Sequence, residues 1–275
     1  MSATKHVPSL PVIDCAESKY TIAHELLKRT PKSFSRYHQP FFGSGALFTE
    51  LSPDDAYLSD IDRERILAYR MIRDRPHEVY RAYLLHVDSE PYYKALCKIN
   101  PEKLNYVERA ARYLYLSSVS VPSYFKYNPV LHYSMTYCGQ PYSPKLSEND
   151  LIELSTKLNK PGILLEHSSF ELLVEKVDTN DFVYLDPPHL PIGQDPKKAV
   201  TPDGFTFKDY ECLRDLVFKV KNMGCHVMVT CPSFPEVKEL FTGLHFNEVE
   251  WMHPHSFARV PTIIPQSELI IRSYV

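Results

Sequence analysis

Three features of the chain predict an α/β fold: a wound sheet with helices on both faces, interrupted by a mainly helical and loop insert. Between residues 34 and 73 the pattern runs strand, glycine turn, helix, strand, helix. After residue 150 apolar strands and amphipathic helices alternate again. Between these halves, residues 88–150 hold ten of the nineteen tyrosines and alternate a helix with loops rich in Pro, Ser and Tyr. The expected division is one domain in two parts, 1–87 and 151–275, with 88–150 inserted.

The elements follow from apolar spacing. Ile22, Ala23, Leu26 and Leu27 recur at helical intervals, which predicts a helix over Glu17–Arg29, ended by Pro31. Phe34–Gln39 reads as a short strand leading into Pro40, and Ala56–Asp60 as a second strand followed by a helix over Asp62–Arg73. Within the insert, Glu102–Leu116 has a helical pattern. Gly162–His167 and Asp181–Leu185 are apolar strands, and Phe207–Asn222 is a helix with Leu213, Leu216, Val217 and Val220 on one face. Cys225–Thr230 reads as a buried strand, Phe234–Phe241 as a short helix and Leu269–Tyr274 as the closing strand. The chain contains no internal repeat and no low-complexity tract.

Composition narrows the function classes. A chain of 275 residues with 44% hydrophobic content can bury a substantial core. With 24% charged residues and a mean hydropathy of -0.29, wholesale disorder is excluded. No run of 18 uncharged apolar residues occurs, so no membrane partner is expected, and the N-terminus lacks the apolar core of a secretory signal. The expected location is intracellular: the cytoplasm of a prokaryote or virus-infected cell, or the nucleus or cytoplasm of a eukaryote. A net charge of -3 and a pI near 6.5 give no global basic field, which leaves room only for a local nucleic-acid patch. The six cysteines are scattered without a C-x-x-C pair and read as reduced, mostly buried thiols. His253 and His255 flank Pro254 with no further ligand at diagnostic spacing, so no metal is expected. The expected state is a monomer or an oligomer of undetermined order.

Three short motifs carry chemistry. Phe42-Gly43-Ser44-Gly45 lies between a strand and a helix, where glycines allow a sharp turn and close approach to a ligand. The same residues also suit an ordinary tight turn. Asp60, at the end of the second strand in LSDIDRE, can accept both hydroxyls of a ribose, while Asp62 suits the helix cap. Asp186-Pro187-Pro188-His189 follows the apolar strand FVYL. Consecutive prolines stiffen the loop and remove backbone donors, which leaves the carbonyls and the Asp186 carboxylate as acceptors at the carboxyl edge of the sheet. A rigid pair of acceptors suits an exocyclic amine, which has two hydrogens to place.

In this order the motifs resemble those of the Dam-type, class alpha DNA adenine methylases, over nearly the whole chain from Ala16 to Tyr274. Glu17-Ser18-Lys19-Tyr20 is similar to the family's N-terminal segment, whose lysine lies near the cofactor. PFFGSGA, residues 40–46, is similar to the S-adenosylmethionine loop, SDID to the acidic strand end, and LNYVERAARYLYL, residues 104–116, to a helix of the insert. Ser169-Phe170 matches a pair expected beside the cofactor adenine, FVYLDPP the catalytic loop, and SELIIRSY, residues 267–274, the closing strand.

The resemblance implies a Rossmann-like methyltransferase sheet and transfer of a methyl group to adenine N6. Its cofactor residues here are Lys19, Tyr20, Pro40, Phe41, Phe42, Gly43, Ser44, Gly45, Asp60, Ile61, Ser169, Phe170 and Asp186. The catalytic residues it implies are Asp186, Pro187, Pro188 and His189, with His189 stacking on a flipped base. Tyr124, Lys126, Tyr127, Lys197 and Lys198 are expected to meet the substrate together with His189. The nucleic acid implied is DNA, with RNA, or a binding role without catalysis, as alternatives.

Three departures from the family pattern stand out. Gln39 replaces an acidic residue before the cofactor loop, His189 replaces an aromatic ring, and VSVPSYFKYN, residues 119–128, replaces the usual DNA-contacting run. The insert carries seven basic against six acidic residues among its ten tyrosines. Those rings suit stacking on unpaired bases or packing in a core. The segment 193–206 reads as a loop after the catalytic turn, solvated or reaching phosphates.

Overall fold

The structure is a computed structural model; it describes residues 12–13, 19–120, 137, 146–190, 195–201, 204–255 and 262–275, and along 251–255 and 262–266 the backbone alone. After a 3-10 turn at Lys19–Thr21, the N-terminal half contains α1 (Ala23–Leu27), β1 (Tyr37–Gln39), α2 (Ala46–Leu51), β2 (Asp55–Asp60) and α3 (Arg63–Asp74). Then come α4 (Pro76–Tyr83), α5 (Glu90–Cys97), α6 (Tyr106–Val119) and α7 (Glu148–Leu158). The second half contributes β3 (Gly162–His167), β4 (Phe182–Leu185), α8 (Phe207–Asn222), β5 (His226–Pro232), α9 (Pro235–Leu240), β6 (His245–His255) and β7 (Thr262–Arg272).

Seven strands form one sheet in the order β3-β2-β1-β4-β5-β7-β6. β1 to β5 are parallel, whereas β7 runs antiparallel to both of its neighbours. Parallel strands need cover on both faces, and the two core clusters show how it is supplied. Phe182, Tyr184, Met228 and Ile270 pack with the residues of α1, α2, α3, α6 and α7. Their sequence neighbours Val183, Leu185, Val227, Val229, Leu269 and Ile271 pack with α8 and α9 on the other face. Period-two alternation thus divides one sheet between two cores, each buried aliphatic side chain contributing about 1.5–3 kcal/mol. No helix among the described residues is long and apolar enough to cross a membrane.

Helix starts obey their caps. Asp62 accepts hydrogen bonds from the Glu64 and Arg65 amides and opens α3. Asn105 and Glu108 form a capping box, so α6 begins at Tyr106, after a 3-10 turn over Pro101–Lys103. The N-terminal helix breaks into a 3-10 turn and the five residues of α1. Of the insert, α6 belongs to the main core: Ala110, Tyr113 and Leu114 pack there, and buried Arg109 pairs with Glu64 on α3.

A smaller cluster unites Tyr93, Leu96, Cys97, Tyr115, Leu116 and Val119 from α5 and α6. Among the described tyrosines of the insert, Tyr93, Tyr113 and Tyr115 are core residues and Tyr106 is exposed. Cys97, Cys225 and Cys231 are buried free thiols and Cys212 is an exposed one, while Cys15 and Cys138 lie outside the described residues.

His86 stacks on Tyr115 with ring centroids 4.9 Å apart and meets the Tyr92 hydroxyl at 2.7 Å. Burial, together with Arg112 nearby, pushes its imidazole from 6.5 down to about 4. The unfolded chain therefore binds a proton at His86 that the folded chain refuses. The resulting stability is complete above pH 6.5 and is lost as pH falls through about 4. Thermal melts should fall on acidification between these values, and the fall should be smaller in His86→Phe; an equal fall would place the acid sensitivity elsewhere.

Candidate active site

β1 and β4 are parallel neighbours, yet β1 leads to helices on one face and β4 to α8 on the other. A crevice opens beyond the carboxyl ends of such a pair. The loops after β1 (40–45) and after β4 (186–189) both leave the sheet at that edge.

The first loop is braced from inside. Gly43 and Gly45 have φ values of 52 and 68, in the left-handed region, and a Cβ on Gly45 would stand 3.0 Å from the Phe42 ring. The Gly43 amide donates to Asp60 Oδ2 at 2.9 Å and the Gly45 amide to the Phe42 carbonyl at 2.8 Å. A phosphate cradle requires such donors to point outward, so this loop suits close approach of a ligand that carries no phosphate. Pro40, Phe42 and Ser44 are buried.

Buried Gln39 accepts a hydrogen bond from Tyr37 Oη at 2.8 Å, and its Nε2 donates to the carbonyls of Phe41 at 3.3 Å and Phe42 at 3.2 Å. A carboxylate could not make the last two bonds.

Asp60 is buried at the end of β2 and well supplied with donors. Besides Gly43, its Oδ2 accepts from Arg65 at 2.7 Å, and Oδ1 accepts from the Asp62 amide at 2.9 Å. Ile61 beside it is 68% exposed. Across the crevice Phe41 stacks on Phe170 with centroids 5.0 Å apart, and Phe205 stands edge-on to Phe41. Ser169 caps the 3-10 turn that holds Phe170.

The second loop presents acceptors. Asp186 Oδ1 accepts a hydrogen bond from Thr230 Oγ1 at 2.8 Å, and Thr230 is bonded in turn to the buried Tyr184 hydroxyl at 2.9 Å. Asp186 Oδ2 and the Pro187 carbonyl have no partner among the described residues. The Pro188 carbonyl is held by Tyr210 Oη at 3.1 Å.

Behind the loop lies Lys19, only 2% exposed, with Nζ 3.2 Å from Asp186 Oδ1, 3.2 Å from Glu268 Oε1 and 2.9 Å from His189 Nε2. Among the described residues, Asp186, His189 and Glu268 alone have the spacing of metal ligands, but the Lys19 ammonium stands among them as the cation. His189 thus turns its ring nitrogen inward, and its side chain is 11% exposed. Burial would raise the Glu268 carboxyl, but Lys19 and His189 hold it down from 4.5 to about 2.

Tyr20 faces α2 instead, packing on Ala23 and Ala46 with its hydroxyl 3.5 Å from Thr49. Lys197 and Lys198 are exposed in a turn, Lys198 lying 3.5 Å from Asp195. Tyr124, Lys126 and Tyr127 lie outside the described residues, as do the side chains of His253 and His255. Glu268 lies in the closing-strand motif SELIIRSY, but only strand register places it at the site: pairing with Pro232 brings it to the carboxyl end of β5.

The family model for D12 class N6 adenine-specific DNA methyltransferase matches residues 18–254. The chain belongs to this family. It is 31% identical over 228 residues to the Type II methyltransferase M1.LlaDCHI of Lactococcus lactis subsp. cremoris, covering 80% of each chain. It is 27% identical over 253 residues to the Type II methyltransferase M.CviBI of Paramecium bursaria Chlorella virus NC1A, covering 89% of this chain and 92% of that one. Identity to a DNA adenine methylase of Vibrio cholerae serotype O1 is 21% over 241 residues, covering 86% of each.

Within this D12-class enzyme Gln39 is expected to be structural. Gln39→Glu would set a buried carboxylate against two carbonyl oxygens and should cost about 2–3 kcal/mol, read from the urea unfolding midpoint. Unchanged stability would show that the loop does not depend on those two bonds.

Proposed function

We propose that the protein transfers a methyl group from S-adenosylmethionine to the N6 amine of an adenine in DNA. The observation that carries this reading is a pair of acceptors, Asp186 Oδ2 and the Pro187 carbonyl, without a partner among the described residues, on a proline-stiffened loop at the same sheet edge as the glycine turn. The crevice fits the donor in kind: a close-approach turn without phosphate-type donors, a buried carboxylate at Asp60, exposed Ile61, and the Phe41 and Phe170 rings. When bound, S-adenosylmethionine supplies a methyl group activated on a sulfonium.

Asp60 is the acceptor for ribose hydroxyls, with Arg65 the neighbour that must yield part of its share. Asp186 and Pro187 accept the two N6 hydrogens. This fixes the amine and draws its lone pair out of conjugation, so positioning and fixed dipoles supply most of the acceleration. An adenine reaches these acceptors only when it has left the base stack. Lys197 and Lys198 offer charge for backbone phosphates.

Nucleoside mass spectrometry tests the reading after incubation with labelled donor and pools of RNA and of DNA lacking N6-methyladenine. Label in N6-methyldeoxyadenosine is expected; label confined to RNA would overturn the choice of DNA. Asp186→Ala should lower incorporation by at least about a hundredfold while S-adenosylhomocysteine affinity by calorimetry stays within about threefold. Equal loss of both would move the acceptor elsewhere.

A further inference from the structure

Four charged or titratable side chains from distant parts of the chain converge behind the acceptor loop: Lys19, Asp186, His189 and Glu268. With a neutral imidazole these four described side chains hold two carboxylates against one ammonium, an excess of one negative charge among them. Glu268 Oε1 is buried without a hydrogen bond of good geometry, its cations standing at 3.2 Å and 3.4 Å. It is an acceptor that a better donor would satisfy.

The surrounding groups have settled charges. Glu268 is held at about 2 and stays anionic. Burial pushes the Cys231 thiol and the Tyr37 and Tyr184 hydroxyls far up, so all three stay neutral. Thr230 does not titrate, and Lys19 between two carboxylates is the fixed cation. The imidazole is the group suited to change charge near neutral pH.

We infer that His189 is the proton acceptor of the methyl transfer, receiving through Asp186 the proton that the adenine amine must lose. The inference rests on the function proposed above. The N6 lone pair forms the new nitrogen–carbon bond as the sulfur–methyl bond breaks and its electrons return to sulfur. N6 then carries the positive charge and one proton too many. Asp186 takes that proton and passes it to Lys19 Nζ, 3.2 Å from Oδ1, as Lys19 hands one of its own to His189 Nε2 at 2.9 Å, which restores the carboxylate and keeps the ammonium. The imidazolium stands 3.4 Å from Glu268 Oε1, and the four side chains together are then neutral. Glu268 acts as a positioning residue that favours the imidazolium.

The test combines single-turnover transfer to DNA lacking N6-methyladenine with histidine NMR of the S-adenosylhomocysteine complex, from about pH 5.5 to about pH 8.5. The wild-type rate should rise with pH along the titration of the His189 resonance, assigned by its loss in His189→Gln. That variant keeps an acceptor for Lys19 but takes no proton; its profile should be flat and its plateau at least about tenfold lower. Glu268→Gln should move both the resonance midpoint and the rate midpoint down by about one pH unit. A His189→Gln enzyme with the wild-type rate and profile overturns the inference alone, as does a resonance midpoint that moves in Glu268→Gln without the rate. A wild-type protein that methylates no DNA at any pH overturns the proposed function and this inference with it.

Discussion

A buried ammonium persists only where anions face it, and Lys19 imposes that condition on the whole carboxyl edge of the sheet. Its partners come from the loop after β4 and from β7, so residues 19, 186 and 268 must be in place together. Two carboxylates as close as Asp186 and Glu268 would otherwise repel, and one would take a proton. With Lys19 among them and Thr230 fixing Oδ1, Asp186 can present its other oxygen to the crevice. The acceptor geometry of the loop therefore depends on a residue almost at the other end of the chain.

Asp60 organises the other side of the crevice by the same logic, a buried carboxylate surrounded by donors. Arg65, which pairs with it, also donates to Tyr113 Oη at 3.1 Å, and Tyr113 donates to Asp62 at 3.2 Å. Tyr113 lies on α6, so the glycine loop, the start of α3 and the first part of the insert share one hydrogen-bonded unit. This explains why α6 packs into the main core, although its tyrosine-rich sequence reads as part of an appended region.

Several elements that bury a regular apolar face were legible in the sequence, although α7, which buries Leu151, Leu154 and Leu158 at helical spacing, was missed. Gly162–His167 and Phe207–Asn222 were predicted at their observed bounds, since β3 is covered on alternate positions and α8 along one stripe. β6 left no such trace: between residues 245 and 250 no side chain is buried, and an edge strand held by backbone pairing need not alternate. α4 was missed because Val79 is its only buried residue. The N-terminal helix was overread because its period counted Ile22 to Leu27, whereas Lys19 is drawn into the site by charge. The motif residues were legible as types, but what holds them was not. The meeting of Asp186 and Glu268 on Lys19 is set by strand register and burial, which no local pattern encodes.

The two departures in the loops, Gln39 and His189, make sense as one change in where charge resides. At position 39 an amide ties the glycine loop to itself, using donors that a carboxylate lacks, and leaves no anion there. Among the described residues, Lys19, Asp186, Glu268 and a neutral His189 then hold one anion in excess on their side of the crevice. A cationic donor is favoured by that excess while it is bound. Transfer moves its charge to the amine, and the proton shed afterwards settles on His189 and cancels the excess. The sulfur product is uncharged and meets a neutral cluster, so the attraction that held the donor is gone when the product must leave. A tyrosine at position 189 could not make the charge of the site follow the reaction in this way.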